Sequence, residues 1–292
     1  MLQRVSKLSD KALLVKLTTR RVGLTKKDRA LTAQLQAQEN DASITVLTKL
    51  FKDKSGPIYK IFTNVNGVYT YHKQHTLPYI DAGPRILPNK LYFDYTQEMK
   101  QRIAVVDALL DNYMPVYDQL VAEDIAYRNF GKTVGRADAS EYPTADKFRS
   151  SISMDFRFQP MPDTRHFLFD LNDDDLQAVA QAEEEAIAAA NADTVNRMLK
   201  PLGALVERLK EYQGSKGERW HNAIIENVLD GCNMARKLAI DPAPELLTEL
   251  NNLETMAKGY LDHVEIIKAS PLARDEARKR LAEAADKMAA FY

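Results

Sequence analysis

A chain of 292 residues with 45% hydrophobic and 28% charged residues has the composition of a globular protein with a real core, which excludes a disordered, collagenous or disulfide-stapled polypeptide. No run approaches the roughly 18 apolar residues of a membrane span, the charged first thirty residues lack a leader's apolar stretch, and the single Cys232 leaves no internal disulfide or thiolate zinc cage. The net charge of −1 conceals an asymmetry: residues 1–80 carry fourteen Lys/Arg against five Asp/Glu, residues 81–170 eleven against fourteen, and the rest fifteen against twenty-two. A basic front and an acidic back point to an anionic partner for the front, or to two ends that neutralise each other.

In chain order, Ala12–Thr19 is rich in β-formers and predicts a strand. Residues 25–38 place Leu31 and Leu35 at helical spacing, and Ile44 to Phe51 repeats Val46, Leu47, Leu50 and Phe51 in the same way. The aromatic stretch from Tyr59 to Tyr71 contains Asn66-Gly67, which reads either as a tight hairpin turn or as a helix end followed by a loop. Gly83-Pro84 and Leu87-Pro88 mark an irregular connection over residues 80–94. Met99, Ile103, Val106, Leu110, Tyr113, Tyr117 and Leu120 then predict an amphipathic helix interrupted at Pro115. Residues 129–145 read as an exposed loop, Ile152–Phe158 as a half-buried strand of period two, and Phe167–Phe169 as a further short strand.

Beyond Asp170 the pattern is helical, punctuated at Lys200-Pro201, Gly214 and Asp241-Pro242. Leu246, Leu250, Leu253, Ala257, Tyr260, Val264 and Ile267 step by fours and threes, a seam that packs on another subunit or on helices of the same chain. Ser270-Pro271 is the N-cap and first-turn pair of a last helix. The expected fold is α+β and predominantly helical, with a small sheet in the N-terminal part and a coiled-coil-like C-terminal half. The expected domains are a basic one over 1–170 and an acidic helical one over 171–292.

Catalytic patterns are weak. Ala126–Thr133 satisfies a relaxed phosphate-loop pattern but follows a helix instead of a strand. The five histidines are scattered, no nucleophile elbow is present, and Asp173–Asp175 and Glu183–Glu185 read as solvated charge. The expectation is a protein that is not an enzyme and takes neither metal nor cofactor. The front end carries a different chemistry. Lys16, Arg20, Arg21, Lys26, Lys27 and Arg29 form one basic cluster; Lys52, Lys54, Lys60 and Lys73, with Lys49, form another, interleaved with Tyr59, Phe62, Tyr69 and Tyr71. Cations that track phosphates, beside rings offered to unstacked bases, are what single-strand binding requires. The same rings read equally well as core, with the lysines a solvated face.

Three strings carry a resemblance: Leu13–Leu17 with Lys26-Lys27-Asp28, Gly83–Pro88, and Glu141–Thr144 with Phe148 and Phe156–Pro160. Together they resemble a bacterial and phage family known as a domain of unknown function. The resemblance covers roughly residues 1–170 and brings no catalytic residues. It implies a phage protein encoded among replication genes, or beside AAA+ ATPases of the MoxR or cobalt-chelatase type, acting in a bacterial cytoplasm. The leading expectation is a phage protein that binds single-stranded DNA, or RNA, in replication or recombination. On this reading it self-associates through Leu246, Leu250, Leu253, Tyr260, Val264 and Ile267. The alternative is an adaptor or substrate subunit of a MoxR-like ATPase without a nucleic-acid role.

Overall fold

The computed structural model describes residues 8–79, 83–131, 137–161, 173–215 and 217–291. The fold is α+β and predominantly helical, with a small antiparallel sheet in the N-terminal part. Two compact units divide the chain, and neither is contiguous. One, the bundle unit, takes residues 1–16, 73–95 and 157–292; the other, the ribbon unit, takes 17–72 and 96–156. The chain therefore crosses between units at four points, where the sequence predicts one boundary near residue 170.

The strand β1 (Ala12–Arg20) belongs to the bundle unit through residue 16, and this part pairs antiparallel with β4 (Arg85–Pro88) from Ala12↔Pro88 to Val15↔Arg85. The sheet order is β4-β1-β5, with β5 spanning Ser153–Gln159. Sequence reading takes 83–88 as irregular because of its prolines. They are tolerated because β4 is an outer strand of this sheet and Pro88 sits at its end, where a missing N–H costs little. The alternation predicted for β5 is present: its side chains are exposed and partly buried in turn. Residues 167–169 lie outside the described residues.

The rest of this unit is helical: α7 (Asp173–Glu211), α8 (Ala223–Leu238), α9 (Pro244–Asp262), α10 (Val264–Ala269) and α11 (Pro271–Ala289). Each long helix buries a stripe stepping by threes and fours. Val195, Met198, Leu202, Leu205 and Leu209 come from α7, Ile225, Val228, Cys232 and Ala235 from α8, and Ala277, Leu281, Ala284 and Met288 from α11. Leu246, Leu250, Leu253 and Ala257 of α9, with Val264 and Ile267 of α10, complete this single core, and Tyr260 packs on it partly buried. The stripe predicted for self-association is thus filled from within the chain, and exposing it to a second copy would unpack the bundle. Lys200-Pro201 does not end a helix as expected: α7 runs through Pro201, which forfeits one backbone bond while Met198 before it and Leu202 after it stay in the core. Ser270 caps α11 as predicted, its Oγ accepting the Ala273 N–H at 3.2 Å. Arg274, only 6% exposed, donates to the Ile267 and Lys268 carbonyls and so satisfies the open C-terminal end of α10.

Burial raises the Cys232 thiol to about 11, and the side chain is fully enclosed. Because the thiolate is the reactive species, Cys232 is expected to resist iodoacetamide at pH 8 in the native protein and to alkylate fully in denaturant. Rapid native labelling would contradict this packing.

In the ribbon unit, β2 (Thr25–Lys27) and β3 (Leu47–Lys49) form an antiparallel ribbon with Lys26 opposite Thr48. Between them lies α2 (Arg29–Glu39), where the Asp28 carboxylate accepts the Leu31 N–H. The helix expected from residue 25 therefore starts four residues later, and the segment expected as a helix over 44–51 holds instead the three-residue strand β3. Thr45, Val46 and Thr48 are β-branched and favour the extended form. The aromatic stretch is neither a hairpin nor a broken helix: α3 (Pro57–His75) runs straight through Asn66-Gly67. Ile58, Ile61, Val65 and Val68 bury one helical stripe, and that burial outweighs the roughly 1 kcal/mol cost of a mid-helix glycine. The amphipathic helix is present as α4 (Tyr92–Tyr113) and α5 (Tyr117–Asn129), separated at Pro115 by one 3₁₀ turn. The 129–145 segment is less open than expected. Ala137 and Tyr142 are buried, and α6 (Ala145–Ser150) closes it with Thr144 as N-cap.

Candidate nucleic-acid interface

The β2–β3 ribbon, the residues leading into it and the start of α3 enclose a groove of about 860 Å³ within the ribbon unit. Arg21, Lys49, Lys52 and Lys54 line it together with Phe51, Tyr59, Phe62 and Tyr127, and none of the described lining residues is acidic. Tyr59 is 45% and Tyr127 68% exposed. These rings are open to a ligand and are not filling a core.

The structure sorts the predicted residues into four groups. Arg21, Lys52, Lys54, Tyr59 and Phe62 line the groove. Arg20, Lys26, Lys27, Arg29 and Lys60 belong to the same unit and are exposed, so they add to its positive field. Lys16 and Lys73 fall in the bundle unit and do not belong to this groove. The aromatic pair Tyr69 and Tyr71 is split by the helix, because residues two apart lie about 200° around its axis. Tyr69 is exposed and shares a stripe with Tyr59, Phe62 and Asn66. Tyr71 is partly buried, with the Arg102 guanidinium 4.7 Å from its ring centroid. It packs as structure, which corrects its assignment as a stacking residue. Phe62 is partly buried with its ring edge-on to Phe148, 6.3 Å between centroids, so only part of it faces a ligand. The Arg21 guanidinium donates to Asn66 Oδ1 at 3.3 Å, which ties the entry of the ribbon to α3.

A buried polar network supports the groove floor. Phe51 has φ of 51°, the left-handed region that a bulky residue rarely occupies. The Asp124 carboxylate on α5 holds it there, accepting the Phe51 N–H at 2.8 Å, the Lys52 N–H at 3.1 Å and the Tyr142 hydroxyl at 2.5 Å. Two consecutive N–H groups converging on one anion form a nest, here filled by a side chain of the same unit. Arg128, 4% exposed, donates to the Tyr142 oxygen and to Glu141, each bond shorter than 3 Å. Burial, reinforced by its bond to Asp124, pushes the Tyr142 phenol far above its ordinary range, so it stays a donor at neutral pH. The Phe51 ring packs against Tyr117, Tyr142 and Phe148. Lys52 and Phe51 are thereby presented to the groove by a backbone that cannot relax.

Tyr127 is the groove residue that sequence reading misses, hidden inside the phosphate-loop-like string. Its signal was nonetheless present. Tyr117, Val121, Asp124 and Arg128 form the buried stripe of α5, and Tyr127, one position off that stripe, must face outward. The string itself builds no phosphate loop in the described part: residues 126–129 finish α5, and 132–133 lie outside the described residues. Among the described residues no three His, Cys, Asp or Glu side chains are grouped to hold a metal ion, and no described helix is long and apolar enough to cross a membrane. Comparison of the chain with family models, with curated proteins and with solved structures finds no match.

Proposed function

We propose that the chain binds single-stranded nucleic acid along the ribbon-unit groove, in the setting of phage replication or recombination. The observation that carries this reading is one cleft lined by four cationic side chains and by the exposed rings of Tyr59 and Tyr127, with no carboxylate among its described lining residues. Cations neutralise successive phosphates while the rings stack on splayed bases, each stack contributing about 1–3 kcal/mol with little regard to sequence. Duplex hides its base faces, so a single strand is the better fit. The resemblance of residues 1–170 to the phage family agrees with such a role, and no catalytic residue takes part.

Fluorescence anisotropy with a labelled dT oligomer tests it. Binding at about 50 mM salt should be readily measurable and should fall steeply as salt rises, because bound lysines and arginines release counterions. A duplex of equal length should bind more weakly at every salt concentration. No binding at about 50 mM salt, where the electrostatic contribution is large, overturns the proposal and leaves the ATPase-adaptor reading in its place.

A further inference from the structure

A second cavity, of about 380 Å³, shares Phe51 and Tyr127 with the groove. Pro57 and Ile58 at the start of α3 and Leu120 of α5 give it apolar walls, while its charged lining among the described residues is Asp53, Glu123 and Asp124, with no cation. The two spaces thus meet at the same pair of rings and differ in sign. A phosphate suits the groove and is repelled by the cavity. A flat apolar group with hydrogen-bond donors on its edge suits the cavity, whose volume lies at the small end of ligand pockets.

The carboxylates are not equivalent. Asp124 is engaged by three internal donors. Asp53 Oδ1 accepts from the Ser55 N–H and hydroxyl, at 2.9 and 2.6 Å, which holds the turn before α3. Glu123 is exposed, and its Oε1 accepts from Gln119 Nε2 at 2.9 Å. A carboxylate offers about four lone-pair sites, so Glu123 keeps both oxygens able to accept.

We propose that this cavity receives a single base from a strand lying in the groove and selects guanine through the Glu123 carboxylate. The inference rests on the groove reading. Guanine alone carries two adjacent donors on its pairing edge, N1–H and the N2 amine, and they match the two oxygens of one carboxylate. Adenine and cytosine set one amine beside an acceptor nitrogen. Thymine sets one N–H between two carbonyls that an anion repels. Single-strand readers take sequence from that same edge, and a bidentate pair discriminates by about 1–3 kcal/mol.

The test compares a labelled dT oligomer with the same oligomer carrying one central dG, by anisotropy at fixed salt. Wild type should bind the dG oligomer roughly tenfold more tightly, a factor at the low end of bidentate discrimination. Deoxyinosine at that position, which lacks the N2 amine, should lose most of the gain. Glu123→Gln should abolish the difference between the dG and the plain dT oligomer, so that the two bind with equal affinity. Glu123 is exposed and accepts from Gln119, a bond that a glutamine oxygen also accepts, so the variant should fold. Equal wild-type affinity for the two oligomers overturns the pocket while the groove stands. A dG preference that survives Glu123→Gln, or deoxyinosine binding as well as dG, also overturns it. Failure of both oligomers to bind overturns groove and pocket together.

Discussion

Replacing Arg21, Lys49, Lys52 and Lys54 together with alanine is expected to weaken binding of a dT oligomer by roughly 100- to 1000-fold at about 0.1 M salt, since each lost phosphate contact removes about 0.7 from the salt slope on a single strand. The four side chains converge on one cleft and all are exposed, so the thermal unfolding of the variant should match wild type. Tyr59→Ala and Tyr127→Ala should behave differently. Each should lose about 1–3 kcal/mol of affinity where a base stacks on it, and the salt slope should hardly move. Lys16→Ala and Lys73→Ala, in the other unit, serve as controls and should change neither quantity. A quadruple variant that keeps wild-type affinity and slope would remove the groove as the binding surface.

The basic part of this site was legible in the sequence because it depends on little beyond composition. A lysine or arginine goes to the surface whether its segment is helix, strand or turn, so Lys52 and Lys54 are exposed as expected. The aromatic part depends on periodicity, and there the reading went astray. With Asn66-Gly67 taken as a turn, Tyr69 and Tyr71 share a strand face; on a helix they part. The deciding signal was Ile58, Ile61, Val65 and Val68, an apolar stripe of helical period running under the aromatics. Once that stripe is recognised, the outward positions are fixed as Tyr59 and Tyr69, and Tyr71 turns toward Arg102.

Helices of the C-terminal half were legible for the same reason, since the step of threes and fours is local. What faces each stripe is not local. Leu246 to Ile267 pack chiefly on α8 and α11, and a single sequence records no such pairing. The two discontinuous units escape notice likewise, because β1 and β4 pair across some seventy residues. Asp124 is the extreme case. It sits in line with Tyr117, Val121 and Arg128 on the buried stripe. An acidic and a basic residue four apart on an apolar stripe were the available signal, and their partners are Phe51, Lys52, Glu141 and Tyr142.

That placement makes Asp124→Ala the substitution expected to cost the most stability, about 3–5 kcal/mol, which is the range for removing one member of a buried charged network. Three donors lose their acceptor at once: two backbone N–H groups and the Tyr142 hydroxyl. Each donor left unsatisfied in a buried site costs about 1–3 kcal/mol. The left-handed backbone at Phe51 adds a strain of about 1–3 kcal/mol that nothing then offsets. Asp124→Asn keeps the shape and one acceptor oxygen but turns an amide N–H₂ toward a donor, so a smaller loss of about 1–3 kcal/mol is expected. Urea unfolding followed by far-ultraviolet circular dichroism separates the two variants through their midpoints at unchanged slope. The same change should reach the groove: with Phe51 and Lys52 released, affinity for the dT oligomer should fall under conditions where the variant is still folded, although Asp124 never touches the strand. A loss of stability below about 0.5 kcal/mol in Asp124→Ala would mean that the ring cluster of Phe51, Tyr117, Tyr142 and Phe148, and not the carboxylate, holds this turn in place.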